Sequence, residues 1–290
     1  MLVIWKIIKE TVKAWLDDDA PTYAAAVAFY AMISLAPLLT IVVKLVSIFF
    51  SEDLAQQQLL AEVERFAGVH AAGVIESILG SMTMGSSGTL ATIISVGVVI
   101  FGATGVFAQL HTAFNRIWGL EKEPGGIKGF LRVRLRSLGM VMGAGGLLML
   151  SILASTLISI FTPLLAGLVG TKFVWQSLNF GLSFAVLTIL FAMVYRYLPS
   201  TTIAWKDVWT GGLVTSALFL AGKTLIGLYL STSAPGSAYG AAGSLVAFLV
   251  WIFYSAQVVL FGAEFTQVWA QLKGREILRK GLQFNGNDDS

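Results

Sequence analysis

The stretch SLVAFLVWIFYSAQVVLFGAEFTQVWA (244–270) decides the class of this chain. It runs for 27 residues with Glu264 as its only charged residue, and a helix that crosses a bilayer needs about 20 mostly apolar residues. The whole chain of 290 residues has this character: 56% of its residues are hydrophobic and 12% are charged, against about 25% charged in soluble proteins. So little charge cannot cover a soluble surface, which predicts a membrane protein.

Five further stretches are long and apolar enough to span a bilayer. Together with the first they give six predicted transmembrane helices, at 23–50, 90–118, 131–161, 174–198, 208–230 and 244–270. The stretches are continuous, rich in Leu, Ala and Gly, and lack the alternation of polar and apolar residues that strands require. The predicted fold class is therefore all-α, a polytopic membrane protein.

The distribution of Lys and Arg predicts the orientation in the membrane. Of the 19 such residues, 15 fall on the side of the two termini, Arg65 and Lys172 fall on the other side, and Lys44 and Lys223 lie within spans. Under the positive-inside rule both termini are expected in the cytoplasm. The predicted domains are a cytoplasmic amphipathic helix at 1–21, the membrane domain at 22–270 and a cytoplasmic tail at 271–290.

Two segments outside the spans also have helical patterns. Within residues 2–19, Trp5, Ile8, Val12 and Trp15 share one helical face, as in a helix that lies on a membrane surface. Packing of the same helix against the bundle is an open alternative. In the outer loop, 51–88, apolar residues recur at helical spacing, which predicts one or two short helices broken near 68–73.

The composition offers little for catalysis. The chain has no cysteine, so thiolate catalysis and cysteine metal ligands are excluded. Its two histidines, His70 and His111, are predicted on opposite sides of the membrane, and neither HExxH nor GxxxxGK[ST] occurs. The only carboxylate cluster, DDD (17–19), precedes the first span, where negative charge suits the helix dipole. We therefore expect no enzyme, no metal and no cofactor.

Polar residues inside the spans are the candidates for a functional site, because ionisable groups in a bilayer are costly and usually functional or paired. The predicted substrate-pathway residues are Lys223, Glu264, Gln257, Tyr254, Asn115, Arg116, Arg196, Gln109 and Tyr239. For the neutral residues, hydrogen bonding that only holds helices together is the alternative. Small residues four apart, as in Gly211-xxx-Thr215, are expected to let helices pack closely.

Lys223 and Glu264 are not expected to pair with each other, because at about 1.5 Å of rise per residue their depths differ by about 15 Å. Glu264 is level with Arg116 and Arg196. We therefore expect Glu264 to pair with one of these arginines and to close a polar vestibule with the neighbouring amides. Lys223 is expected to face backbone carbonyls or an internal cavity.

Several segments resemble one bacterial family. They are AAAVAFYAMISLAPLLTI (24–41), AFNRIWGLE (113–121), YRYLP (195–199) and GKTLIGLYLSTSAPGSAYGAAGSLVAFLVWIFYSAQVVLFGAEFTQVWA (222–270). Over nearly its whole length the chain resembles the YihY/BrkB family of inner-membrane proteins. The resemblance implies a six-helix integral membrane protein of a kind described as a permease or a virulence-associated factor. Members have also carried the label ribonuclease BN, for which these residues provide no active site.

Two classes of function follow from the residues. One is a transporter, permease or flippase for a small or amphiphilic, lipid-like solute, supported by the intramembrane Lys223 and Glu264. The other is a non-transporting scaffold or envelope-integrity factor that binds partners. Membrane lipids are expected contacts in both cases. Nucleic acid is not expected, because Arg132, Arg134 and Arg136 flank a span, where basic residues anchor helices to lipid head groups.

Overall fold

A computed structural model of the chain describes residues 2–47, 51–82, 89–120, 172–233 and 243–274. Within these ranges every regular element is a helix, which confirms the all-helical prediction. The helices are α1 (Leu2–Asp17), α2 (Ala20–Val46), α3 (Glu52–Ala67), α4 (Val69–Met82), α5 (Thr89–Ile117), α6 (Lys172–Tyr197), α7 (Trp205–Ser233) and α8 (Gly243–Leu272). The third predicted span, at 131–161, lies outside the described residues, as does Tyr239.

Three described helices contain segments long and apolar enough to cross a membrane: Phe180–Tyr197 in α6, Trp205–Leu228 in α7 and Val246–Leu272 in α8. α2 and α5 have 27 and 29 residues and overlap the first two predicted spans. At about 1.5 Å per residue each is about 40 Å long, enough to cross a hydrocarbon core of about 30 Å. The membrane character is thus supported, and the total of six spans stays a prediction.

The core of the bundle forms where α2, α5, α6 and α8 meet. Phe114 of α5, Tyr195 of α6 and Leu260 of α8 are fully buried there, and the rings of Phe114 and Tyr195 meet edge to face at 5.8 Å. A second cluster, which includes Ile75 and Trp251, packs α4 against α8. Each cluster buries large apolar side chains, which stabilises the contact between helices by close packing.

Glycines let α7 and α8 approach closely. A Cβ at Gly211 of α7 would collide with the Thr266 side chain, and a Cβ at Gly262 of α8 would collide with Thr215 and Tyr195. The hydroxyls of Thr215 and Thr266 donate to the carbonyls four residues earlier, at 2.8 and 2.7 Å. The close packing predicted for Gly211-xxx-Thr215 is confirmed, and Gly262-xxx-Thr266 is its counterpart on the facing helix.

α1 packs on the bundle with one side and leaves a different apolar side uncovered. Ile7 and Thr11 are buried where α1 contacts α8. Trp5 and Leu16 remain 69% and 57% exposed, whereas Trp15, predicted on the same face as Trp5, packs partly against the core. Packing on the bundle is therefore confirmed, and contact of the exposed side with a membrane surface stays a prediction.

The predicted outer loop, 51–88, contains a helical hairpin, α3 and α4, as its apolar spacing predicts. Ser51 caps α3 by accepting a hydrogen bond from the Leu54 N–H at 3.4 Å. Gly68 ends the helix with φ 93°, a left-handed conformation that glycine adopts without the steric cost of a Cβ. The break at Gly68 confirms the predicted interruption near 68–73.

Candidate functional site

The turn between α1 and α2 brings three consecutive aspartates to one end of α8. Asp19 has φ 54°, a left-handed conformation that aspartate adopts more readily than most residues. The Thr22 N–H donates to the Asp19 carbonyl at 3.0 Å and begins α2. The chain reverses here in two residues, which places Asp17, Asp18 and Asp19 beside the last turns of α8 and α5.

Arg116, in the last turn of α5, holds this turn together. Its Nε lies 3.5 Å from Asp18 Oδ1, and its Nη2 lies 3.0 Å from Asp19 Oδ2. The same Nη2 donates to the backbone carbonyl of Asp17 at 3.3 Å. The guanidinium therefore contacts three successive residues of the turn.

Glu264 lies on the other side of Asp18. Its side chain is fully buried (0% exposed), although it sits in a helix long and apolar enough to cross a membrane. Neither carboxyl oxygen receives a hydrogen bond from any donor in the described part of the chain. Among the described groups, the carboxyl of Asp18 lies within hydrogen-bonding reach of Glu264. We call Asp17, Asp18, Asp19, Arg116 and Glu264 the acidic junction.

The predicted ion pair between Glu264 and an arginine is wrong for the described residues. Arg116 comes to the same end of the bundle, but the aspartates of the turn lie nearer and take its donors. Arg196 donates to the Ile203 carbonyl and lies over the Trp205 ring at 5.7 Å. Both cations are thus satisfied by groups other than Glu264.

The acidic junction alters the acidity of Asp18. Burial raises the pKa of the Asp18 carboxyl, and the positive charge of Arg116 and the hydrogen bond with Glu264 offset this only in part. A hydrogen bond between two carboxyl groups requires a proton on one of them, because an ionised carboxylate only accepts. The contact is therefore chemically sensible only when the pair carries a proton.

Asn115 belongs to a second polar cluster rather than to the acidic junction. Its Oδ1 accepts the Ser200 N–H at 3.1 Å, and its Nδ2 lies 3.4 Å from His111 Nδ1. His111 Nε2 lies 3.0 Å from Ser200 Oγ. This cluster joins the end of α5 to the loop after α6. The single vestibule predicted for Glu264 and its neighbouring amides is thus divided, since Asn115 and Arg116 have different partners.

Lys223 contacts backbone carbonyls, as expected. Its Nζ donates to the Glu64 carbonyl at 3.0 Å and to the Arg65 carbonyl, both in the last turn of α3. The C-terminal carbonyls of a helix lack partners within the helix and carry partial negative charge. Lys223 therefore ties α7 to the end of the α3–α4 hairpin.

The remaining predicted residues have mixed surroundings. Tyr254 donates its hydroxyl to the Leu218 carbonyl at 3.0 Å and so bridges α8 and α7. Gln257, two turns from Glu264, has a buried Oε1 that receives no hydrogen bond from the described residues. Gln109 is partly buried on α5. Tyr254 thus makes a hydrogen bond that holds two helices together, which was the alternative to a functional role. Gln257 Oε1, like the Glu264 carboxyl, receives no hydrogen bond from the described residues.

Sequence reasoning missed two groups. Asp18 was considered only as a charge at a helix N-terminus, although the same three aspartates could have been tested as partners for Glu264. Tyr195, whose hydroxyl lies 2.7 Å from Thr215 Oγ1 and donates to the Val259 carbonyl at 2.9 Å, was missed as well. The sequence does contain a related signal. Gly262-xxx-Thr266 has the same spacing as Gly211-xxx-Thr215, and the Tyr195 hydroxyl lies where these two close-packed segments meet.

Comparison with known proteins finds bacterial relatives of this chain. A family profile described as virulence factor BrkB matches residues 11–281. A UPF0761 membrane protein of Pseudomonas paraeruginosa is 30% identical over 259 residues, which cover 86% of this chain and 59% of that protein. A protein of Bacillus subtilis named as ribonuclease-like, YfkH, is 24% identical over 268 residues, which cover 89% of this chain and 92% of that protein. No solved structure matches.

The apolar helices, their glycine-based packing and a buried charged site define an all-helical membrane protein. The profile match over residues 11–281 goes further, and the chain belongs to the BrkB family, which confirms the resemblance seen in its segments. The chain spans about three fifths of the length of its Pseudomonas relative (59%).

Proposed function

We propose that this protein moves a small or amphiphilic solute across or within the inner membrane of a bacterium, as a transporter, permease or flippase. The observation that carries the proposal is Glu264, a fully buried carboxyl in a membrane-length helix that receives no hydrogen bond within the described residues. A buried ionisable group of this kind lowers stability unless it is compensated. Its presence is better explained by a function than by packing.

An apolar groove in the bundle supports an amphiphilic solute. The groove has a volume of about 570 Å³, within the range of ligand sites, about 300–1,000 Å³. It lies between α2 and α8, and its walls are Ala25, Ala28, Phe29, Met32, Ile33, Leu249, Val250 and Phe253. On α2 these residues begin two turns after the acidic junction. A lipid-like solute would place its apolar part in the groove and its polar part towards Arg116 and the aspartates.

The proposal includes an orientation. The acidic junction lies on the cytoplasmic side with both termini, and the α3–α4 hairpin lies outside, as the distribution of Lys and Arg predicts. Because the chain has no cysteine, single cysteines test this directly. In intact cells a Gln57→Cys variant should react with an impermeant maleimide and a Lys13→Cys variant should not. The reverse pattern would contradict the orientation.

Lipid movement is the first test of the function. The full chain is reconstituted into liposomes that contain a fluorescent phospholipid in both leaflets, and a quencher is added outside. In wild-type liposomes, inner-leaflet lipid should move to the outer leaflet, where it is quenched, faster than in protein-free liposomes. Glu264→Gln should slow this by about tenfold or more, which corresponds to about 1.4 kcal/mol on the activation free energy.

Glu76→Gln is the matched control, because Glu76 is an exposed glutamate on α4, away from the acidic junction. It should behave as the wild type does. A wild-type rate equal to that of protein-free liposomes would contradict a flippase, and a Glu264→Gln rate equal to that of the wild type would remove Glu264 from the mechanism.

A scaffold is the second candidate, and the exposed apolar side of α1 favours it. Trp5, Ile8, Val12 and Leu16 form a surface that a partner or the membrane could cover. Replacing Trp5 and Leu16 by serine should abolish the effect of a scaffold in cells while leaving lipid movement in liposomes unchanged. If the protein acts by transport alone, cells with this variant should behave as cells with the wild type do. Neither candidate includes catalysis by the protein.

A further inference from the structure

Two carboxyl groups meet in the acidic junction, and their surroundings differ. Glu264 is fully buried, and the neighbouring residues Leu260 and Ala263 on α8 are fully buried as well. The side chain of Asp18 is 27% exposed. Solvent therefore reaches the pair from the side of Asp18 and not from the side of Glu264.

Among the described residues, the charged groups that act on Glu264 are both acidic. They are Asp18 and Asp17, from the end of α1 and the turn that follows it. From α5, Arg116 contacts Asp18 and Asp19. From α6 and α7, the nearby Tyr195 and Thr215 offer hydroxyls, but these bond to each other and to the backbone. The electrostatic environment of Glu264 therefore opposes a negative charge.

We propose that Asp18 and Glu264 form a proton-binding site, in which the carboxylic acid of Glu264 donates a hydrogen bond to the carboxylate of Asp18. Two carboxyl groups in contact cannot both ionise at low cost, so the pair keeps one proton and a single negative charge. Arg116 balances that charge through its contact with Asp18. The physiological role of this site rests on the proposed function. If the protein is a transporter, the site gives it a proton as the coupling ion.

Loss of the proton changes the contact between the helices. The O–H bond of Glu264 breaks, its electron pair stays on the carboxylate, and the proton passes to water by way of the partly exposed Asp18. Two adjacent carboxylates then repel each other across the contact between the α1–α2 turn and α8. The turn is also held by Arg116 and can move away from α8 without losing that partner. Proton release therefore weakens the contact between the turn and this end of α8.

The raised pKa of Asp18, which burial causes, agrees with a pair that retains a proton above the range of an ordinary aspartate. In the described residues no group of three or more His, Cys, Asp or Glu side chains is placed to hold a metal ion. A bound sodium ion is nevertheless the competing occupant that the test must distinguish. It would need both carboxylates ionised, whereas the proposed site needs one of them protonated.

Infrared spectroscopy of the purified full-length protein, without solute, tests the site. A protonated carboxyl gives a carbonyl stretching band that an ionised carboxylate lacks. Near neutral pH the wild type should show this band, and it should disappear in Glu264→Gln. The amide of that variant can still donate to Asp18, so we expect it to fold. Glu76→Gln should keep the band.

Asp18→Asn provides an independent variant, because its amide oxygen can accept the hydrogen bond of a protonated, buried Glu264. It should keep the band but shift its frequency, since the acceptor is then an amide in place of a carboxylate. A wild type without the band near neutral pH, a band unchanged in Glu264→Gln, or a band that sodium but not choline removes at fixed pH would each overturn the proton site. If the band behaves as expected while lipid does not move, the proposed flippase fails and the proton site stands. If lipid moves but the band is absent, the proton site fails and the proposed flippase stands.

Discussion

Lys223 and Glu264 are both ionisable residues in membrane-length helices, and they have opposite surroundings. Lys223 donates to two backbone carbonyls at the end of α3. Glu264 receives no hydrogen bond within the described residues and meets another carboxyl. One charge is compensated by a helix terminus, and the other is placed against a group of the same sign. The difference assigns Lys223 to the architecture and Glu264 to the candidate chemistry.

The largest effect that we predict concerns the interface that positions both residues. Gly262→Ala would place a methyl group against Thr215 and Tyr195, so α7 and α8 would have to separate. We expect a loss of about 1–3 kcal/mol in unfolding free energy, measured by denaturant titration in detergent. Gly227→Ala is the control, because a Cβ there meets nothing, and it should be neutral or stabilise by up to about 1 kcal/mol. Equal effects of the two variants would contradict the packing.

Lys223→Met should produce the next largest effect. It removes a charged donor from the carbonyls of Glu64 and Arg65 and leaves the Glu64 carbonyl with the Gly68 N–H at 2.9 Å. We expect a loss of about 1–2 kcal/mol in the same titration, with faster proteolysis of the α3–α4 hairpin. Lys206→Met, at an exposed position on the same helix, should change neither. An unaltered hairpin in Lys223→Met would mean that the contact does not hold α7 and α3 together.

Arg116→Gln should have a smaller effect on stability and a specific effect on acidity. Its ion pairs are partly exposed, so their loss should cost about 1 kcal/mol or less. Because the charge of Arg116 lowers the pKa of Asp18, its removal should raise that pKa further and retain the shared proton to higher pH. A pH titration of unfolding, compared with that of Lys9→Gln, measures the shift. A shift to lower pH would contradict the arrangement.

Much of the fold followed from local patterns. The apolar stretches predicted α2, α5, α6, α7 and α8, and the helical spacing in 51–88 predicted the α3–α4 hairpin, since these signals depend on neighbours within a few residues. The face of α1 that packs was predicted less well. Its most apolar side, with Trp5, is exposed, because close packing on α8 is made by Ile7 and Thr11.

The partners of the charged residues were harder to predict, because depth along a helix does not determine direction around it. Arg116 and Glu264 do come to the same end of the bundle, as the depth calculation indicates. The left-handed conformation of Asp19 brings the three aspartates to this end of the bundle as well, and the Arg116 guanidinium pairs with the aspartates and not with Glu264. This turn depends on the positive φ of Asp19, which the sequence alone does not predict. For Lys223, a helix end was a partner of the kind expected, and only its location on α3 was new.

The most direct test of the difference between the two residues is the pH dependence of unfolding in the wild type, Glu264→Gln and Lys223→Met. The pKa of Asp18 is raised by folding, so its contribution to stability is present at pH below about 4, the value for a free aspartate, and is lost as the pH rises through the folded pKa. We predict that the wild type and Lys223→Met lose stability along parallel curves as the pH rises. Glu264→Gln should show a smaller loss, because the Asp18 carboxyl, whose pKa burial raises, stays in place whereas the proton of Glu264 is gone. A Glu264→Gln curve that falls with the wild type would contradict the shared proton.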